Sequence, residues 1–190
     1  MISKRIFLII YLTFIYTYLQ GQNIQKYVEF EQLCTSDKIE FKVLKSEMNL
    51  SNDYLNKYNV SYTTLYDSVE YTENYEFILN ETPKGNRIKS KYDDDFLNDT
   101  IELKYISKKE FNLENHKILI YKYFFDLDNN IDEELLIFFI PEYGIFMKKP
   151  YSWLGYSRLT DNENLERKEL FNKICEIILY DNHFFRNVEN

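Results

Sequence analysis

Six consecutive residues, Leu135 to Ile140, read Leu-Leu-Ile-Phe-Phe-Ile and contain no polar side chain. A strand of this kind cannot lie with one face in water, so it must be covered on both faces. Lys117 to Phe125 is nearly as apolar, and Tyr121, Tyr123, Phe124 and Phe125 make it aromatic as well. Two such runs belong at the centre of a sheet rather than at its edge. Pro141 ends the second run, and Tyr143 to Lys148 reads as a short returning strand.

Elsewhere the pattern is alternation with a period of two, the mark of half-buried strands. Ile39, Phe41 and Val43 alternate with Lys38, Glu40 and Lys42. Tyr71, Tyr75, Phe77 and Leu79 share one parity, with Thr72, Asn74 and Glu76 on the other. Ile101, Leu103 and Tyr105 alternate with Glu102 and Lys104. Ser51 to Tyr58 reads as a short helix, Pro83 to Asn86 as a turn, and 91–100 as an acidic loop holding Asp93, Asp94, Asp95 and Asp99. Towards the C-terminus the period changes. Thr160 and Glu163 form a capping box, and Leu170, Phe171, Ile174, Ile178 and Leu179 recur at three and four residues. These features predict an α+β fold: an antiparallel sheet of about five or six strands, with an amphipathic helix over 161–180 packed on one face.

The first residues say where the chain goes. Lys4 and Arg5 precede an uncharged run from Ile6 to Leu19, and Gln20, Gly21, Gln22 and Asn23 follow at once. This is the pattern of a secretory signal peptide over 1–21, leaving one globular domain over 22–190 and a secreted or periplasmic protein. The alternative is an uncleaved anchor that tethers the chain to a membrane, although 14 residues fall short of the ~20 that span a bilayer. Export makes a bridge between Cys34 and Cys175 feasible, the other reading being two buried thiols. Asn49, Asn59, Asn80 and Asn98 each begin an Asn-x-Ser/Thr triplet, which matters only in a eukaryotic secretory route.

Composition removes several function classes. A hydrophobic content of 45% excludes a disordered chain, and a formal charge of −8 argues against nucleic acid as a partner. Four glycines cannot supply a dinucleotide-binding fingerprint together with ordinary turns. Lys89-Ser90 lacks the glycine a phosphate loop needs before its lysine, and Gly155-Tyr156-Ser157 lacks the second glycine of a nucleophile elbow. The two histidines, His116 and His183, have no second ligand at zinc spacing.

Chemistry concentrates between the two apolar runs, in Asp126-Leu127-Asp128-Asn129-Asn130-Ile131-Asp132-Glu133-Glu134. Oxygen-bearing side chains stand at positions 1, 3, 5 and 9 (Asp126, Asp128, Asn130, Glu134), and Asp132 can add its carbonyl at position 7. Calcium takes six to eight oxygen ligands in a flexible geometry, which alternating carboxylates on a curled segment provide. The nine residues resemble the calcium loops of FG-GAP-type repeats, and that resemblance implies a Ca2+-binding hairpin with Asp126, Asp128, Asn130, Asp132 and Glu134 as the metal set. Ile131 stands where such loops carry glycine, so a polar hairpin turn remains the alternative reading, with catalytic use of the carboxylates a third.

Tyr143, Tyr151, Trp153 and Tyr156 form a second cluster, readable as packing or as a platform for a sugar or peptide. No nucleophile stands beside a base, so no catalytic residue is assigned. The sequence therefore predicts an exported, non-enzymatic binding or structural module with a protein or glycan partner, no nucleic acid, and no membrane after signal cleavage. The alternative is a small extracytoplasmic hydrolase working through paired carboxylates.

Overall fold

The computed structural model describes residues 23–35, 39–53, 56–66, 68–79, 86–91, 101–113, 116–126, 134–151 and 155–186. Residues 1–21, expected as a signal peptide, lie outside them. Eleven strands form one sheet: β1 (Asn23–Thr35), β2 (Ile39–Asn52), β3 (Lys57–Tyr66), β4 (Val69–Ile78), β5 (Arg87–Lys91), β6 (Ile101–Glu102), β7 (Lys104–Leu113), β8 (His116–Phe125), β9 (Leu135–Ile140), β10 (Gly144–Pro150) and β11 (Gly155–Thr160). Two helices follow, α1 (Leu165–Tyr180) and α2 (Asn182–Arg186). The expected α+β fold with five or six strands is therefore corrected to a mostly-β fold with eleven. The segment expected as a short helix over 51–58 is strand at both ends, where β2 closes and β3 opens.

The strand order is β6-β5-β4-β3-β2-β1-β11-β10-β9-β8-β7, and each neighbouring pair is antiparallel. Its two end strands are consecutive pieces of one run, 101–113, separated only by Leu103. The first piece pairs with β5, through Ile101 opposite Ile88 and Glu102 opposite Arg87. The second pairs with β8. The row thus closes on itself as an up-and-down barrel through the two-residue ladder of β5 and β6. Asn86 secures it. Its side-chain Oδ1 accepts from Ile78 N–H at 2.6 Å, and its carbonyl accepts from Leu103 N–H at 2.9 Å. Asn86 and Leu103 are both fully buried.

The barrel is flattened, so its two halves touch. Phe77 of β4 stacks on Phe139 of β9 at 4.3 Å, and Tyr58 of β3 meets the same ring edge-on at 5.5 Å. Tyr62 of β3 reaches across to β10, where its Oη accepts from Ile145 N–H at 2.7 Å. Gly144 makes that approach possible. A Cβ there would stand 2.7 Å from Tyr62 Oη and 3.1 Å from Met48 Sδ, and its φ of +85° suits glycine alone.

Outside this ring, the helices cover β7 to β10. Phe171 of α1 packs on Phe146 and Tyr143, while Phe184 and Phe185 of α2 pack on Phe138. Strand β9 therefore has ring neighbours on both sides, Phe139 inside and Phe138 outside. The helix starts later than the capping box implied. Asn164 is the N-cap and accepts from Arg167 N–H, while Thr160 ends β11.

Lys122 of β8 is trapped under α2. It is 1% exposed and donates to the carbonyl of Phe184 at 2.6 Å. Burial lowers its pKa to about 8, against a partial opposing pull from Asp181. The unfolded chain then binds more protons than the native one between about pH 8 and 10.5, so this group makes stability rise with pH across that window.

Two stability measurements check these assignments. Asn86→Ala removes the acceptor for the buried Ile78 N–H and is expected to cost about 2 kcal/mol in urea unfolding; a loss under 0.5 kcal/mol would mean the closure does not depend on it. Lys122→Met is expected to match or exceed wild-type stability at pH 7 and to flatten the rise above pH 8. An unchanged pH profile would remove Lys122 as its source.

Candidate functional site

Ligand sites in barrels lie at the mouth, where the interior opens between strand ends. One end of this barrel is polar inside. At that end the register places Gln32, Ser157, Lys148 and Ile137 in one row across β1, β11, β10 and β9. Opposite, Ser46 Oγ and Thr64 Oγ1 share a hydrogen bond of 2.6 Å between β2 and β3. Between these walls Lys148 Nζ meets Glu73 of β4 at 2.5 Å, with 18% and 32% of their side chains exposed. The rest of the interior is filled by Tyr62, Tyr75, Phe77, Tyr123 and Phe139, each under 3% exposed.

Lys148 faces inward because of a β-bulge. Ile145 pairs with Phe139, but Met147 pairs with Phe138, so one extra residue sits between them. Phe146 and Met147 both turn outward under α1, and the alternation restarts with Lys148 on the inner side. Without the bulge Lys148 would fall on the helix-covered face. Bulges commonly re-aim a side chain in this way beside functional sites.

The electrostatics follow from this placement. Burial alone pushes Lys148 towards its neutral form, yet the charge of Glu73, with Tyr75 beside it, outweighs burial and holds the lysine above its ordinary pKa. The rings of Tyr75 and Tyr62 flank Nζ at 5.1 and 5.9 Å from their centroids, within cation–π range. Burial raises the pKa of both tyrosines. Tyr75 Oη is buried beside Lys148 and Glu73 and interacts with both.

The sequence-predicted residues fare unevenly. Of the metal set, Asp126 is exposed at the end of β8 and Glu134 is half-buried before β9, where its carbonyl accepts from Tyr151 N–H at 2.8 Å. Asp128, Asn130 and Asp132 lie outside the described residues. So do Trp153, Asp93, Asp94, Asp95 and Asp99. Among the described residues no group of three His, Cys, Asp or Glu side chains converges as a metal site. The buried polar side chains there are Ser46, Asn86, Lys122 and Thr160, with no carboxylate pair among them.

Tyr143 packs edge-on against Phe171, and Tyr151 against Phe124. Tyr156 is half-buried and Cys175 is buried; the two meet between β11 and α1. The side chain of Cys34 lies outside the described residues. Gly155 to Ser157 form part of β11 rather than a strand-to-helix elbow, and His183 is exposed on α2. Lys148 and Glu73 were not singled out from sequence. Glu73 carried a signal, since it is the charged residue that interrupts the apolar parity of Tyr71, Tyr75 and Phe77. Lys148 carried none, because its orientation depends on the bulge.

Compared with known proteins, the chain matches no family model, no curated protein and no solved structure. No helix among the described residues is long and apolar enough to cross a membrane.

The cluster makes an alkaline limit. Unfolding releases Tyr62 and Tyr75 to ionise near pH 10 and Lys148 to lose its proton near 10.5, while the native state keeps all three protons to higher pH. Stability is therefore expected to fall as pH rises above 10. Tyr75→Phe should cost about 1 kcal/mol at pH 7, since it removes a buried hydroxyl beside Lys148 and Glu73, and should soften that fall; urea unfolding from pH 8 to 12 reads both.

Proposed function

We propose that this chain is an exported, non-enzymatic binding module, in which the mouth holding Lys148 and Glu73 receives part of a protein or glycan partner, and in which the 126–134 hairpin holds calcium at the same end. The observation that carries this reading is the inward turn of Lys148. A packed barrel does not need a lysine on its inner face, because an apolar side chain of similar volume would fill the position with no charge to desolvate. An extra residue is nevertheless inserted in β10 to put it there, where solvent still reaches the pair. The segment over 1–21 supports export, and a secreted or periplasmic location follows from its cleavage.

The calcium hairpin fits the same end. Phe125 pairs with Leu135, so Asp126 and Glu134 stand at the two feet of the hairpin, at about one strand spacing. Tyr151 N–H ties the second foot to the end of β10, two residues beyond Lys149. A cation there would relieve the repulsion among Asp126, Asp128, Asp132 and Glu134.

Thermal unfolding of the protein lacking residues 1–21, with calcium and with EDTA, tests the hairpin. Calcium at 100 times its dissociation constant adds ~2.7 kcal/mol, a rise of roughly 5–10 °C for a domain of this size. Asp126→Asn with Glu134→Gln is expected to abolish the rise. A rise that survives the double variant, or none in the wild type, would leave the segment a polar turn.

A further inference from the structure

Away from the mouth, the outer face of β2, β3 and β4 carries a groove of about 410 Å³ lined by Asn49, Ser51, Asn59, Ser61, Asn74 and Glu76. Strand alternation brings these residues to one side, and the register assembles them into two rows. Asn49 stands opposite Ser61, which stands opposite Asn74. Ser51 stands opposite Asn59, Asn59 opposite Glu76, and Glu76 opposite Arg87 at the rim. The result is a grid of amides and hydroxyls at about 4.8 Å across strands and about 7 Å along them.

Three properties define what such a grid can hold. First, its hydrogen-bonding capacity is unspent. Among the described residues, the side chains of Asn49, Ser51, Asn59, Ser61 and Asn74 take part in no hydrogen bond or ion pair, and each amide offers both donors and an acceptor. Second, it does not share the negative balance of the chain. Among the described residues the one carboxylate lining it, Glu76, is paired with Lys57 at 2.7 Å, Arg87 stands opposite Glu76, and the register sets Lys89 next to Asn74. Third, it is not apolar: of the exposed large hydrophobic side chains, Val43, Leu65 and Val69 lie at the far ends of these strands. Asn is a poor strand residue, yet three occupy neighbouring strands on one face here. Beside the grid, on β1, Tyr27 is 81% exposed on the same face, opposite Glu47 and diagonal to Asn49.

We infer that this face binds a neutral oligosaccharide, with Asn49, Asn59 and Asn74 hydrogen-bonding sugar hydroxyls and Tyr27 stacking on the apolar face of a ring. Hydroxyl-rich, uncharged ligands match a surface that presents both donors and acceptors. An anionic glycan would meet the negative charge of the whole chain, and an apolar protein surface would leave the amides unpaired. The site is separate from the mouth and does not depend on the calcium hairpin.

The test is an NMR titration of the purified protein, following the side-chain NH₂ signals of its asparagines. The probes are the soluble neutral hexamers cellohexaose, laminarihexaose and chitohexaose, with a heparin hexamer as the charged control. The expected result is a saturable shift of the Asn49, Asn59 and Asn74 signals with at least one neutral hexamer. Asn59→Leu with Asn74→Leu should weaken it at least tenfold without lowering Tm, and Tyr27→Ala should weaken it several-fold. Leu65→Ser, at the far end of these strands, should leave it unchanged. No shift with any neutral hexamer, or a shift with heparin alone, overturns the inference. Binding of a neutral hexamer seen by calorimetry without any shift of the Asn49, Asn59 and Asn74 signals would put the glycan elsewhere, which refutes the outer site while sparing the reading as a binding module.

Discussion

Everything in this structure depends on burying β9 on both faces. Its inner side chains are held by the facing half of the barrel, where Phe139 lies against Phe77 and Tyr58. Its outer side chains are held by the C-terminal helices, where Phe138 lies between Phe184 and Phe185. Each buried aromatic contributes on the order of 2–3 kcal/mol by area alone, and neither covering layer suffices without the other. The strand thus dictates three layers: one half-barrel, the other half-barrel, and a helical cap. The cap in turn traps Lys122, a charge that its β8 position places under α2.

Closure explains why the remaining strands need no second layer of helices. The meander β1 to β4 has a polar outer face and a largely apolar inner one, and it buries the latter against β7 to β10. An open sheet with this alternation would need a helix on its apolar side. A ring supplies its own cover. The junction at Leu103 is where one run of chain serves both halves, and the hydrogen bonds of Asn86 remove the orphaned backbone groups that such a crossover creates.

The functional reading rests on departures from this economy. The bulge in β10 turns Lys148 into the interior beside Tyr62 and Tyr75, and the ends of β8 and β9 that flank the acidic segment lie at that same end. On the outside, the asparagines and serines of β2, β3 and β4 share one patch of the face, beside the charged Lys45, Glu47, Lys57 and Glu76. One end and one face of the barrel therefore carry chemistry, while the opposite side is committed to the helices.

Much of the architecture was legible residue by residue. The runs over 117–125 and 135–140 announced strands that must be covered twice, and the spacing from Leu170 to Leu179 announced the helix. Strand β3 was present too, in the alternation of Tyr58, Val60 and Tyr62 with Asn59, Ser61 and Thr63, but it is diluted by tyrosines that fit either face. Strand β1 was harder, because Lys26 falls on its inner parity and Tyr27 on its outer one. Local sequence by itself determined that 117–125 and 135–140 extend, that a helix follows near the C-terminus, and which strand cannot face water, since these follow from periodicity and side-chain polarity within a few residues. Only the tertiary structure decided that the sheet closes, that Lys148 points inward, and that Asn49, Asn59 and Asn74 share one surface. Those outcomes depend on register between strands far apart in the chain, and a single inserted residue reverses the face to which every later side chain belongs.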